Sequence, residues 1–505
     1  MAVDGRALGS GTVQETDVCV IGAGPAGLVV ARALAERGRD VLVLESGSRD
    51  PEPATQALND GHVLGDAYAG LRETRHRALG GTTAMWNTPV SGVAGAKYAP
   101  LSPIDFERRP SVEHGGWPIT FDELAPWYAR AQAICGLGPF QYEGDAWGCS
   151  LPASGPALVS RIYQFGRRAA LVDPLVAALA RASNARLCTR ATLVGLDVDA
   201  SGRRATRAVV GTPGGPTWRV RAKQYVLAGG AVENARVLLV AADAGLRVGS
   251  PWLGRGFMEH PRDSALTLVP GSRDFHRAAA FYDQHQAADG TLIVGRFAVS
   301  DDAIRDGALP NASATLLARV RPVVRRVRAV ANRFAPLGGL ALVDRWTPSG
   351  GHGWSRHHAP ERVFDGFTIL LNLEQTPSPE NRIVLGARRD AFGVPLPELH
   401  WRWHEADHTR LTRLRDVVAR ELGALGRIEI ATDAIPDPNA HHHAGTTRMH
   451  ADAAHGVVDA DCRVHGVDNV FVAGASVFPT AGFVNPVLTI VALAARLADH
   501  LVASS

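Results

Sequence analysis

The chain has 505 residues, 46% hydrophobic and 20% charged, with a formal net charge of +3. That length exceeds a usual single core, so two or three domains are expected, and the near-neutral balance excludes nucleic acid as the expected partner. Five scattered cysteines without CxxC spacing indicate neither a disulfide framework nor a zinc site. Residues 1–16 carry no apolar signal segment, and the apolar run Val487 to Leu497, interrupted by Thr489 and Arg496, is too short to span a bilayer. A cytoplasmic protein with no membrane span and no metal is expected.

The first elements form a unit. Asp17 to Ile21 reads as a buried strand running into Gly22-Ala23-Gly24-Pro25-Ala26-Gly27, then an Ala/Leu-rich helix to Arg37. Gly38 stops that helix, and Asp40 to Glu45 is a second buried strand ending in an acid. A lone GxGxxG is weak. Between a strand and a helix, with an acid closing the next strand, it is a dinucleotide fingerprint. Gly22 makes the tight turn, Gly24 lets the backbone approach a pyrophosphate, and Gly27 allows close helix packing. Glu45 is expected to accept from ribose hydroxyls. FAD and NAD share this fingerprint, so it does not decide between them.

Two more strand–glycine–helix units follow far along the chain. Gln224 to Ala228 ends in Gly229-Gly230 before a helix from Ala231 to Ala242. Val470 to Ala473 ends in Gly474 before a loop and a helix from Pro486 to Ala503. One nucleotide domain assembled from separated segments is expected. Between them, Phe367 to Leu373, Arg382 to Leu385 and Glu398 to Trp403 alternate and carry aromatics, as in an antiparallel sheet with one exposed face. Arg319 to Arg333 is strongly basic and reads first as a solvated helix face, with an amphipathic lid as the alternative. The glycine-rich Ser349 to Trp354 could hinge such a lid.

Two polar constellations remain. Leu79-Gly80-Gly81-Thr82-Thr83-Ala84-Met85-Trp86-Asn87 can bring backbone N–H groups to a phosphate or ring edge, or be only a turn before a helix. Just before it, Arg75 and Arg77 are candidate pyrophosphate or ribose contacts, although such arginines are more often surface charges. At the far end His441-His442-His443 precedes Gly445-Thr446, and Asn485 precedes Pro486. Read alone, these could be a surface loop, an adventitious metal site and a helix N-cap.

Together with Val226 to Arg236 and the element Leu253 to Pro261, these motifs resemble the glucose–methanol–choline (GMC) oxidoreductases, flavoenzymes that oxidise alcohols. Within that family the pattern is similar to the pyranose-oxidase-like branch with its bacterial sugar and glycoside oxidases. The resemblance implies FAD along Gly22, Gly24, Gly27, Glu45, Ser46, Arg77, Gly80, Gly81, Thr82, Thr83, Trp86, Asn87, Ala228, Gly229, Gly474, Ala475, Asn485, Pro486 and Thr489. In fungal pyranose oxidases a histidine before the tryptophan carries the flavin covalently; Met85 stands there, which implies non-covalent FAD. The resemblance makes His442 the base that takes the hydroxyl proton and Asn485 the amide that orients the substrate oxygen. Extended backbone would turn His441 and His443 away from the flavin. His260 and His450 are expected to be structural, and Trp401 and Trp403 to pack in the core rather than stack on a sugar.

The expected fold is therefore α/β. A Rossmann-like FAD-binding domain would be built from 14–99, 187–262 and 439–505. An antiparallel-sheet α+β substrate domain would take 100–186 and 263–438, with a candidate lid around 315–360. The expected reaction is oxidation of a secondary hydroxyl of a sugar, glycoside or polyol to a ketone, with electrons passing to O₂ or another acceptor. Alternatives are a GMC dehydrogenase for a sterol or secondary metabolite, and a redox-idle flavin lyase.

Overall fold

The computed structural model describes residues 3–149, 155–306, 309–333 and 353–504. An eight-stranded sheet carries a parallel centre in the order Ala185–Thr189, Val41–Leu44, Val13–Ile21, Thr217–Leu227, with Val470–Val472 paired beyond it. Val18, Cys19, Val20, Val41 and Val43 are fully buried, because helices cover both faces of such a sheet. Helix Pro25–Glu36 packs between Arg168–Arg181 and Val487–Ala503. The carboxyl ends of five parallel strands are in register: Cys188, Leu44, Ile21, Leu227 and Val472 pair in sequence across the sheet. Ligands of open α/β sheets bind beyond such an edge.

A nine-stranded antiparallel sheet includes Thr88–Val90, Val93–Tyr98, Leu158–Arg167, Leu292–Val299, Ala312–Val320, Phe364–Leu373, Arg262–Pro270 and Gly426–Ile430. Residues 88–98, on the nucleotide side of the boundary expected at 99, pair into this second sheet. A small third sheet joins Arg382–Arg389, Pro395–Trp401 and His62–Gly65. Strands expected at Phe367, Arg382 and Glu398 thus divide between two sheets rather than sharing one.

The basic segment forms helix Pro322–Arg333, with Arg325 and Arg326 exposed beside an equally exposed row, Val323, Val327 and Val330. Residues 334–352 of the candidate lid lie outside the described residues, as does the hinge apart from Gly353 and Trp354, the latter fully buried. Trp401 is also buried, its Nε1 donating to Gln375 at 3.2 Å. Among the described residues no helix is long and apolar enough to cross a membrane, and no disulfide joins any of the five cysteines.

Candidate active site

Three helix N-termini converge on one cavity. Gly24 with Ala26, Gly230 with Ala231, and Pro486 with Val487 all line it. The helices they open have no side-chain cap, so first-turn N–H groups are left for a ligand. Each follows the end of a parallel strand, which is the structural meaning of the three strand–glycine–helix patterns. A Cβ on Gly27 would sit 1.9 Å from the Gly22 carbonyl oxygen, so only glycine lets the helix close on the turn. A Cβ on Gly24 would meet nothing within 4 Å and would project into space the cavity wall borders.

Of the expected cofactor contacts, Gly22, Gly24, Glu45, Ser46, Arg77, Gly81, Thr82, Thr83, Trp86, Ala228, Gly229, Gly474, Ala475, Asn485 and Pro486 line the cavity. Four do not. Gly27 lies behind the turn, and Gly80 donates its N–H to the Ala23 carbonyl at 2.9 Å, tying the two glycine-rich segments together. Asn87 is exposed beyond the short helix Gly81–Met85. Thr489 points off the cavity side of its helix, where its hydroxyl bonds Tyr128 at 2.8 Å.

Glu45 is buried, and its two oxygens accept the N–H groups of Ala23 at 2.9 Å and Gly47 at 2.8 Å. Burial raises its pKa, and those two bonds counteract the shift. Arg75 and Arg77 are not surface charges. Both bond Glu233 at 2.9 Å, and Arg77 also reaches Asn59 at 2.8 Å and Ser46 at 3.3 Å. Burial alone would raise the Glu233 pKa, but the charges of Arg77, Arg236 and Arg75 hold it far below the usual range. Arg236 is matched by Asp390 at 2.6 Å. Two guanidiniums on one carboxylate leave an excess positive charge in the cavity wall, which fits the pyrophosphate of a dinucleotide.

At the other end His441, His442 and His443 all line the cavity. The expected alternation fails because His441 has φ +62°, a left-handed conformation that breaks the extended run. Such strain costs of order 1–3 kcal/mol and concentrates at functional sites. Met258 and Ala444 exchange two backbone hydrogen bonds, at 3.0 and 3.1 Å, so the segment leading to His260 runs beside the histidine run. His260 is therefore no remote structural residue, and its Nδ1 lies 2.9 Å from His442 Nδ1. The His450 ring bonds the local Asp452 turn and packs edge-on against His455, away from the catalytic pair.

The hydrogen bonds fix the proton positions. His260 Nε2 lies 3.1 Å from the Ala481 carbonyl, which can only accept, so Nε2 carries the hydrogen. Burial holds the His260 pKa down to about 4, so the ring is neutral and its Nδ1 is a lone pair. His442 Nδ1 must then donate. Burial, followed by the neighbouring His260 and Arg262, also pushes His442 well below the ordinary histidine value. Its remaining nitrogen, Nε2, is consequently an unprotonated base, and it accepts the Asn485 amide N–H at 3.1 Å.

A carboxylate supports this pair from behind. Glu259 is fully buried and accepts the backbone N–H of His442 at 2.9 Å and of His260 at 3.1 Å, and the Tyr68 hydroxyl at 2.5 Å. The Tyr68 oxygen accepts in turn from His443 Nε2 at 2.8 Å. Burial raises Glu259 to about 7 against these bonds. Neither Glu259 nor Tyr68 was expected at the site. Only the His-Pro element hinted at the first, and no motif marked the second.

Residues 17–359 match the family model described as FAD dependent oxidoreductase, and residues 377–494 match GMC oxidoreductase. The chain belongs to the FAD-dependent oxidoreductases of the GMC family. This GMC enzyme is 27% identical to paromamine 6'-oxidase of Streptomyces fradiae, over 95% of the chain and 90% of that relative. It is 24% identical to the fructose dehydrogenase large subunit of Gluconobacter japonicus, over 96% and 98% respectively. Pyridoxine 4-oxidase from Mesorbium loti shares the fold with a TM-score of 0.53 at 17% identity, covering 96% of this chain and 99% of that one.

Proposed function

We propose that this GMC enzyme oxidises a secondary hydroxyl of a sugar, glycoside or polyol to a ketone, with O₂ or another acceptor taking the electrons. The observation that carries this reading is the 3.1 Å bond between the Asn485 amide and the free lone pair of His442 Nε2. The two groups face one another at the cavity wall, one a base and one a donor, and an alcohol oxygen needs both. Relatives named for paromamine and fructose support a sugar-type substrate.

The cofactor is cradled by the turn Gly22 to Gly24, by Gly81 to Thr83 and by Gly474-Ala475, with Glu45, Ser46 and Arg77 at the ribose end. In this reading the nucleotide domain is discontinuous, and residues 88–98 join the antiparallel sheet of the substrate domain. Met85 offers no nucleophile for a flavin bond, so FAD is held non-covalently. When bound, FAD supplies the acceptor for the hydride that leaves the alcohol carbon.

The chain supplies the proton chemistry. A substrate hydroxyl that enters between Asn485 and His442 donates to Nε2 and accepts from the Asn485 amide. His442 Nε2 takes the proton as the carbon is oxidised, and His260 Nδ1 keeps accepting from His442 Nδ1, so the ring cannot rotate or switch tautomer. The test is an anaerobic screen of sugars, glycosides and polyols against the FAD-loaded enzyme, read by loss of flavin absorbance. Bleaching by at least one sugar-type alcohol is expected; bleaching only by sterols or small monohydric alcohols would contradict the substrate class.

A further inference from the structure

The proton chemistry leaves unused a pair of cations next to the cavity: Lys97, which follows the cavity-lining Ala96, and Arg296. Lys97, Tyr163 and Arg296 lie on the same face of the nine-stranded sheet. Lys97 pairs with Phe165, two residues from Tyr163; Tyr163 pairs with Val294, two residues from Arg296. The two cations flank one ring: Lys97 Nζ lies 5.6 Å and Arg296 Cζ 3.9 Å from the Tyr163 centroid. Arg296 Cζ is also 4.5 Å from the Phe483 ring, and Phe483 is two residues before Asn485.

Arg296 is only 2% exposed, and its Nε and Nη1 have no hydrogen-bond partner among the described residues. Neither Arg296 nor Lys97 has an ion-pair partner there. Arg161, opposite Arg296 in the sheet, is by contrast attended by Glu143 at 3.5 Å and Asp301 at 3.7 Å. Burial, then the charges of Arg296 and Arg262, pushes Lys97 down to about 8. Aromatic rings offset part of the burial cost of a guanidinium, but a buried cation with free donors is normally paired. Two such cations, one packed on Phe483 and neither ion-paired among the described residues, call for an anion from outside.

We propose that the substrate alcohol carries a carboxylate, and that Arg296 and Lys97 bind it while His442 and Asn485 hold the reacting hydroxyl. An acid of the uronic or aldonic type has this form. A carboxylate is preferred to a phosphoryl group because a sheet face offers side-chain donors but no nest of backbone N–H groups. Two residues of chain separate Phe483 from Asn485 by at most about 7 Å, so anion and reacting hydroxyl can belong to one monosaccharide. The inference rests on the alcohol-oxidation reading and narrows its substrate.

The test titrates the FAD-loaded enzyme anaerobically with glucuronate, galacturonate and gluconate, each against its neutral parent, and with glucose 6-phosphate, following the flavin spectrum. The acids are expected to act at concentrations at least about 100-fold lower than the neutral parents, since a site built for a polar group rejects the analogue that lacks it. Arg296→Met and Lys97→Met, checked for flavin content and melting temperature, should each cut that preference at least tenfold. Equal action of acids and parents, a stronger response to the phosphate, or a preference unchanged in both variants would overturn the assignment. If neutral sugars bleach the flavin without acid preference, only this inference falls. If no alcohol bleaches it, the oxidation reading falls as well.

Discussion

The two ends of the cavity are built on different principles. The core of the nucleotide end is local: a turn, a helix start and the next strand lie within residues 13–45, and more distant segments complete the cradle around them. The chemical end is assembled from a distance. His260 and His442 are 182 positions apart, Tyr68 and His443 are 375 apart, and His442 and Asn485 are 43 apart. Damage at the first end should therefore remove the cofactor, whereas damage at the second should leave it bound and slow the chemistry.

The largest effect tests the local end. Gly27→Val places a side chain where a single Cβ already lies 1.9 Å from the Gly22 carbonyl. The variant should purify without the visible flavin spectrum, and full flavin content would break the comparison. Asn485→Ala should retain FAD and lose about 10- to 100-fold in kcat/KM, the scale of one hydrogen bond to a charged or charge-developing group. Steady-state kinetics on flavin-normalised enzyme measures it.

His260 sharpens the contrast within the chemical end. His260→Phe keeps the ring shape but removes the acceptor that fixes the His442 tautomer, and a loss of about tenfold is expected, as for other groups that orient a functional histidine. His260→Asn, whose amide oxygen can still accept, should lose less. A merely structural role would show the two variants ranked by stability instead.

The smallest effect is on pH dependence. Activity needs neutral His442, which burial holds well below the ordinary value, so kcat/KM should stay flat on the acid side down to below pH 6.5. For stability, burial holds His260 down to about 4 and His443 down to about 3, so between about pH 4 and 6.5 the unfolded chain binds more protons than the native one. Glu259, raised to about 7, opposes them with one proton. The neutral histidines, His442 among them, outnumber the glutamate, so stability and with it melting temperature should rise from pH 4.5 to 6.5, each unmatched proton adding about 1.4 kcal/mol per pH unit. A flat or falling curve in that window would contradict the network.

What was legible in the sequence follows the same division. The strand–glycine–helix units were readable because each is contiguous, and their alignment at one sheet edge follows from parallel pairing. His442 and Asn485 were readable as motifs. His260 was taken for a structural residue because nothing in its neighbourhood shows that Met258 pairs with Ala444. Arg75 and Arg77 were readable as candidate cofactor contacts but not as an ion-paired cluster, because their partner Glu233 lies 158 residues beyond Arg75 in helix Ala231–Asp243. The outward turn expected of His441 and His443 assumed regular extended backbone, which the left-handed His441 removes.

The central claim is that His442 Nε2 takes the proton of an alcohol whose carbon is being oxidised. The direct measurement is anaerobic rapid mixing of wild type and His442→Ala, both loaded with FAD, with the same bleaching sugar-type alcohol. The account predicts equal flavin content and a bleaching rate lowered about 10²- to 10⁴-fold in the variant, the usual contribution of a general base. Bleaching at the wild-type rate would contradict it.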